Sequence, residues 1–194
     1  NSKRFTLVAN DASNGNKAHG ALMFRESQGV HEWSDSQFLS SWNNKGLAWA
    51  VLKDKKTGDY VLALNAHLSL KTGSATNYTE QDAINDRLSN AGDAVRIMKE
   101  IYDVFGVIPT VLTGDFNMMW LDPAYKFLLE YFESSIYGSD DFIKYEYTMN
   151  KITGTNLTRS PNLPIDHILY TDETLKPTNY YVGNKTEEHL VSSD

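Results

Sequence analysis

The sequence predicts an α/β or α+β sandwich in which short strands are combined with two helices. Three observations support this fold class: short apolar runs bounded by turn-forming residues, one long segment with helical periodicity, and a turn signal between two apolar runs. The 194 residues show no internal repeat, linker or second domain. We therefore expect a single domain, residues 1–194.

The composition excludes several classes of protein. Apolar residues make up 41% of the chain and aromatic residues 12%, which is enough for a sizeable core and argues against global disorder. A net charge of -7 is unlike the broad basic surface that binds duplex DNA tightly without sequence preference. The chain has no cysteine, so disulfides, thiol catalysis and cysteine-bound zinc are excluded. No apolar run approaches the length of a membrane-spanning helix.

Strands are predicted where apolar and β-branched residues run between clusters of turn-forming residues. The turn from Lys56 to Asp59 separates two of these runs and indicates a hairpin. The predicted strands are Phe5–Ala9, Ala21–Arg25, Leu47–Lys53, Tyr60–Leu68, Val107–Phe116, Lys144–Met149, Pro164–Tyr170 and Asn179–Val182.

Two helices are predicted. Apolar residues recur at steps of three and four over Glu80–Phe105, and Gly106 supplies the stop signal. Asp122 followed by Pro123 has the form of an N-cap with proline at the first helical position. This second helix is expected to continue to about Phe132.

Polar side chains end three of the predicted strands: Asn65 with His67, Asp115 with Asn117, and Asp166 with His167. Side chains on a strand alternate between its faces, so Asp115 and Asn117 share one face if the strand continues through both. Gly114, just before the acid, lets another group approach the backbone closely. Carboxylates hold a hard divalent cation and orient a water, while amide and imidazole donors meet phosphate oxygens as negative charge grows. This set of residues suits hydrolysis at phosphorus.

Each of these residues also has a simpler structural interpretation. His67 alone is typical of a hydrogen-bonded structural histidine, and Asp166 alone is typical of an edge-strand residue. Asp115 and Asn117 could cap a turn, which is what these residue types do most often. The complete set, in this order, is harder to explain by turns and caps.

The sequence motifs at these strand ends resemble those of the endonuclease/exonuclease/phosphatase superfamily, which has the deoxyribonuclease I-like fold. The matching phrases are NAHL at Asn65–Leu68, GDFN at Gly114–Asn117, IDHI at Ile165–Ile168 and the terminal Ser193–Asp194. The resemblance covers nearly the whole chain. It implies a four-layer α/β sandwich of two mainly antiparallel sheets flanked by helices.

The resemblance also implies a role for each matching residue. His67 would contact the scissile phosphate or assist the leaving group. Asp115 would orient and polarise the attacking water, and Asn117 would support Asp115 and the phosphate. Asp166 would orient the final histidine of the family. Asp194, together with Asp115, would bind Mg²⁺ or Mn²⁺.

The sequence departs from the family pattern in several places. The family's first strand carries an Asn and its second carries a metal-binding Glu, and the chain begins downstream of both, so we expect a fragment of the domain. The histidine of the family's terminal Ser-Asp-His would fall one position beyond Asp194. Ala66 replaces the usual Thr. Arg87, on the long helix, matches an arginine that is often present in the family, and a solvated helix arginine explains it equally well.

The sequence thus predicts divalent-metal-dependent hydrolysis of a phosphoester, with a phosphodiester favoured, by in-line attack of an activated water. The alternative is a non-catalytic binding module that keeps the fold without a complete metal site. The substrate stays open between nucleic acid, lipid and inositol phosphate. We expect a monomer.

The compartment also stays open. Three N-x-T sequons, at Asn77, Asn156 and Asn184, would suit a secreted protein. About two such sequons are expected by chance in this chain, so they do not decide between secretion and another location.

Overall fold

A computed structural model describes residues 4–9, 22–40, 45–69, 78–138, 141–143, 165–171 and 175–181. Its strands are β1 (Phe5–Ala9), β2 (Leu22–Arg25), β3 (Gly29–Ser40), β4 (Lys45–Asp54), β5 (Tyr60–His67), β6 (Thr110–Asp115), β7 (Glu133–Ser134), β8 (Asp141–Ile143), β9 (Asp166–Tyr170) and β10 (Asn179–Tyr181). Its helices are α1 (Glu80–Phe105), α2 (Pro123–Leu128) and α3 (Ser135–Gly138). The predicted α/β class is confirmed.

A mixed six-stranded sheet forms the centre of the fold, with the strand order β3-β4-β5-β6-β9-β7. Strands β5 and β6 are parallel, and the other neighbouring pairs are antiparallel. The long helix α1 connects β5 to β6, as a parallel pair requires a crossover. Two further small sheets pair β1 with β2 and β10 with β8. The sheet therefore brings the ends of β5, β6 and β9 side by side.

The helix α1 has the predicted bounds, Glu80–Phe105. Thr79 caps its start, because its side chain accepts from the backbone N–H of Asp82 and the Asp82 carboxylate accepts from the backbone N–H of Thr79. Gly106 ends the helix with φ of 77°, a conformation that glycine adopts without strain. The predicted stop at Gly106 is confirmed.

The helix α2 begins as predicted, with the Asp122 side chain accepting from the backbone N–H of Ala124. It ends at Leu128, so the predicted end near Phe132 is wrong. After Leu128 the backbone continues as turns. The N–H groups of Glu130 and Tyr131 donate to carbonyls three residues earlier, whereas that of Phe132 donates four residues back, to Leu128.

One face of the sheet and α1 form a common core. Leu62, Leu64 and Leu112 from β5 and β6 are buried there with Val95 and Met98 of the helix. Because side chains alternate along a strand, the residues between these leucines point to the opposite face. That opposite face carries His67 and Asp115 where β5 and β6 end.

Several strands differ from their predicted bounds. The twelve-residue β3 has no counterpart among the predicted strands, because polar residues interrupt its apolar residues. It lies at the sheet edge, where the side chains of residues 30–33 are exposed. β4 begins at Lys45, two residues before the predicted start. β6 covers Thr110–Asp115 only, and Pro109 precedes it. The predicted strand Lys144–Met149 lies outside the described residues.

The other strand predictions agree closely with the structure. Strand β1 has the predicted bounds, and the antiparallel pairing of β4 with β5 confirms the predicted hairpin. In the described part of the chain, no helix combines the length and apolarity needed to cross a bilayer.

Candidate active site

The predicted site residues His67, Asp115 and Asp166 form one row across three neighbouring strands. The Cα atom of His67 on β5 is directly opposite that of Asp115 on β6, and Asp115 is opposite Asp166 on β9. Residues opposite each other in a sheet project to the same face. The sheet register alone therefore brings an imidazole and two carboxylates together at the ends of these strands.

His67 and Asp115 also approach each other through their side chains. The Nε2 atom of His67 lies 3.5 Å from Oδ2 of Asp115, and the two side chains are 25% and 34% exposed. This distance exceeds the usual 2.7–3.2 Å range for an N–H···O hydrogen bond. The two side chains therefore lie close together without a hydrogen bond of usual length, and both are partly exposed to a ligand.

Lys45 joins this pair from the start of β4. Its next residue, Gly46, is directly opposite His67, and the Lys45 ammonium makes a hydrogen bond with Nε2 of His67. An ammonium has donors only, so Nε2 of His67 is the acceptor in this contact. Nε2 cannot then donate to Asp115 at the same time. We assign the hydrogen bond to Lys45, because its contact with Nε2 is the shorter of the two.

Burial lowers the pKa of the Lys45 ammonium, and the negative charge of Asp115 opposes that shift. Lys45 was not among the sequence-predicted site residues. The hairpin register offered a signal for it, because a turn at Lys56 to Asp59 places Gly46 opposite His67.

The turn after β6 holds the Asp115 carboxylate in place. Its Oδ1 atom accepts a 2.9 Å hydrogen bond from the backbone N–H of Asn117, and its backbone carbonyl accepts from the N–H of Leu68 at 3.0 Å. Asn117 has φ of 51°, a left-handed conformation that asparagine tolerates better than most residues. The turn interpretation and the functional interpretation of this pair are thus compatible.

Asn117 does not continue the strand, because β6 ends at Asp115. The condition under which Asp115 and Asn117 would share one strand face is therefore not met. The side chain of Asn117 is buried, and its Nδ2 donates to the carbonyl oxygen of Leu68 at 2.9 Å. Asn117 thus connects the ends of β5 and β6, and its backbone N–H faces the Asp115 carboxylate.

His167 packs beneath the row, on the core side of β9. Its Nε2 donates to the carbonyl oxygen of Met118 at 2.9 Å, and its ring lies between those of Phe116 and Tyr125 at centroid distances of 5.3 and 4.7 Å. Burial lowers its pKa, and the contact with Met118 opposes that shift. His167 therefore supports the turn that carries Asn117.

Arg87 is buried, so the solvated-arginine interpretation of the sequence is wrong. Its Nη2 atom lies 2.7 Å from Oδ2 of Asp122, its Nε donates to the same oxygen at 3.0 Å, and its Nη1 donates to the carbonyl of Ser69 at 3.3 Å. Asp122 is at the same time the N-cap of α2. Arg87 therefore joins α1 to the segment that follows Asn117.

A cavity of about 460 Å³ opens beside Asn117, between the start of α1 and the segment that leads into α2. Ile84, Met119 and Leu121 supply apolar walls, and Glu80 adds a carboxylate at its edge. The turn that carries Asn117 thus adjoins a partly apolar space.

The described residues do not complete a metal site. Asp115 offers a hard oxygen of the kind that Mg²⁺ prefers, but within the described ranges no three acidic or histidine side chains cluster closely enough to hold an ion. Asp194, the other predicted ligand, lies outside the described residues.

Three comparisons relate the chain to known proteins. The model of the endonuclease/exonuclease/phosphatase family matches residues 37–194. The comparison with curated proteins found no match. Among solved structures, a family protein from Bacteroides vulgatus is 21% identical with a TM-score of 0.64, over 87% of this chain and 64% of its own.

Two other solved structures carry functional names. The mannosyl-6-phosphatase of Bacteroides thetaiotaomicron is 22% identical with a TM-score of 0.64, over 79% of this chain and 57% of its own. The human nocturnin catalytic domain, with a bound sulfate anion, is 18% identical with a TM-score of 0.56, over 87% of this chain and 60% of its own. The chain spans less than two thirds of each of these three structures.

The likeness to solved structures shows the fold, and the family match covers most of the chain, including every part of the row at His67, Asp115 and Asp166. The deoxyribonuclease I-like α/β fold expected from the sequence is thereby confirmed. The chain belongs to the endonuclease/exonuclease/phosphatase family.

Proposed function

We propose that the protein hydrolyses a phosphoester by in-line attack of water, with Mg²⁺ or Mn²⁺ as cofactor. The observation that carries this proposal is the row of His67, Asp115 and Asp166, held in register across three strands. Family membership supports phosphoester hydrolysis in general, and the row supplies groups suited to that reaction.

Asp115 is the residue that orients the water. Its Oδ1 is engaged by the N–H of Asn117, which leaves Oδ2 to accept a hydrogen bond from a water positioned for attack. Such a fixed carboxylate contributes orientation as well as proton affinity. Asn117 acts through Asp115, because its own side-chain amide donates to Leu68.

His67 contacts the phosphate or assists the leaving oxygen, from a position 3.5 Å from Asp115. Asp166 is the third member of the row, and we assign it the role of orienting a catalytic histidine. The two carboxylates favour a phosphodiester over a phosphomonoester, since a diester brings one negative charge near them and a monoester brings up to two.

The proposal of a metal cofactor rests on the carboxylate oxygens that this chain offers as ligands. Asp115 and Asp194 are the residues of this chain that would hold the ion, and the remaining ligands would come from outside the described residues. A bound divalent cation would neutralise charge on the phosphate. Activity that is lost in a chelator and restored by added Mg²⁺ supports this part, and activity that a chelator leaves unchanged contradicts it.

Hydrolysis of bis(p-nitrophenyl) phosphate, a generic diester, tests the proposal, with p-nitrophenyl phosphate as the matching monoester. We expect Asp115→Ala and His67→Ala to lower kcat/KM for the diester by roughly 10² to 10⁴. Asp103→Ala, at an exposed position of α1, serves as the matched control and keeps full activity. Equal rates in the intact protein and in both site variants would contradict the hydrolase and favour the binding module.

A further inference from the structure

Two buried cationic side chains occur in the described part of the chain, and they differ in their partners. Arg87 is 1% exposed and forms an ion pair with Asp122 at 2.7 Å. Lys45 is 6% exposed, and no carboxylate oxygen of the described residues lies within 4.0 Å of its ammonium. Burying an ammonium without a counterion is costly, because the lost hydration is not replaced by an opposite charge.

The neighbour of the Lys45 ammonium is the imidazole ring of His67. The hydrogen bond to Nε2 uses one of three N–H donors and provides no negative charge. The nearest contribution of negative charge comes from Asp115, at longer range. Among the described residues, no carboxylate therefore forms an ion pair with Lys45, which lies at the β4 end of the row that we assign to phosphoester hydrolysis.

The row itself needs a cation for this reaction. Asp115 and Asp166 are directly opposite each other and would repel a phosphate group that approaches them. A cation held beside His67 offsets this repulsion at the point where the phosphate must bind. A point-like ammonium with two remaining donors suits a non-bridging phosphate oxygen.

We propose that the Lys45 ammonium binds a non-bridging oxygen of the substrate phosphate and so supplies the anion-binding part of the site. This inference rests on the proposed function, because it assigns a phosphate to the same site. It also explains the contact with His67: when Lys45 turns its donor to the phosphate, Nε2 of His67 is released and becomes available to the substrate.

The test compares binding of inorganic phosphate to the intact protein and to Lys45→Met, which keeps the length of the side chain and removes its charge. Phosphate titration by calorimetry, and the shift of Tm with phosphate, measure binding without requiring turnover. We expect Lys45→Met to weaken phosphate binding by on the order of tenfold to a hundredfold, the loss typical of a charged hydrogen bond. Lys45→Arg retains most of the affinity. Lys56→Met, in the exposed turn between β4 and β5, serves as the matched control.

Stability of the ligand-free protein provides a second readout. We expect Lys45→Met to have a Tm equal to or above that of the unaltered protein, because it removes a buried charge that forms no ion pair among the described residues. A Lys45 that served only to hold the fold would give a lower Tm and unchanged phosphate affinity, and that result would overturn the proposal. Absence of any phosphate binding that depends on Lys45 would overturn it as well.

The outcomes separate this inference from the proposed hydrolase. If Asp115→Ala abolishes hydrolysis while Lys45→Met binds phosphate normally, the phosphate-binding role of Lys45 is wrong and the hydrolase proposal is supported. If Lys45→Met loses phosphate binding in a protein that hydrolyses no phosphoester, the phosphate site at Lys45 is supported and the hydrolase proposal is wrong.

Discussion

A side chain on Gly114 would collide with the backbone of Ala66. A Cβ atom added to Gly114 would lie 1.9 Å from the carbonyl oxygen of Ala66, and the residue has φ of 136°. Both the close approach of β6 to β5 and the backbone conformation therefore require glycine, one residue before Asp115. The glycine of the GDFN phrase is thus explained by the packing of the two strands that carry His67 and Asp115.

Gly114→Ala is expected to destabilise the protein by about 3 kcal/mol or more, since backbone must move to relieve the clash. Urea unfolding measures the effect. Gly92→Ala is the matched control, because nothing lies within 4 Å of its added Cβ within α1, and it should raise stability by about 0.5–1 kcal/mol. Similar stabilities for the two variants would contradict the close approach of β5 and β6.

Removal of Arg87 should be costly because it leaves the carboxylate of Asp122, whose side chain is only 10% exposed, without its cationic partner. We expect Arg87→Met to lower the free energy of unfolding by about 3–5 kcal/mol. Arg96→Met removes an arginine that is 48% exposed and paired with Asp93 and Glu100, and should cost below about 1 kcal/mol. Thermal or urea unfolding measures both. A loss for Arg87→Met as small as that for Arg96→Met would show that the pair does not join α1 to α2.

His167 should make stability depend on pH. Burial lowers its pKa in the folded protein, so below about 6.5 the unfolded chain binds a proton that the folded chain does not. The contribution of His167 is therefore fully present above that pH and is lost as the pH falls from there towards the lower folded-state pKa. The slope approaches about 1.4 kcal/mol per pH unit for one proton.

The variant His167→Phe should lack this component of the pH dependence, and urea unfolding at pH 5 to 7.5 measures it. His31→Phe, at an exposed position of β3, is the matched control and should keep the slope of the unaltered protein. A slope that His167→Phe leaves unchanged would contradict the assignment.

The parts of the fold that follow from local patterns were predictable from the sequence. The helix α1 has an apolar stripe along its full length and glycine at its end, and α2 begins at an Asp-Pro pair, so both starts agree with the structure. The end of α2 was not predictable, because apolar residues continue beyond Leu128 in turns that pack on the core, as Phe132 does. Strand β3 was missed because an edge strand does not need an alternating apolar face.

Three residues of the candidate site were identified from the sequence, but its geometry was predictable only in part. The three strand-end phrases identified His67, Asp115 and Asp166, and the strand register of the structure places these residues opposite one another. The position of Asn117 depends on a left-handed residue after the strand, which alternation does not reveal. Lys45 became visible only through the register of the hairpin, because a lysine before a strand is usually solvated.

A double-mutant cycle between His67 and Asp115 tests most directly the claim that the row acts as one catalytic unit. The measurement is kcat/KM for bis(p-nitrophenyl) phosphate in the intact protein, in His67→Ala, in Asp115→Ala and in the double variant. If the row works as one unit, the double variant should be about as impaired as the worse single variant. Losses that simply add, or single variants with unchanged kcat/KM, would contradict it.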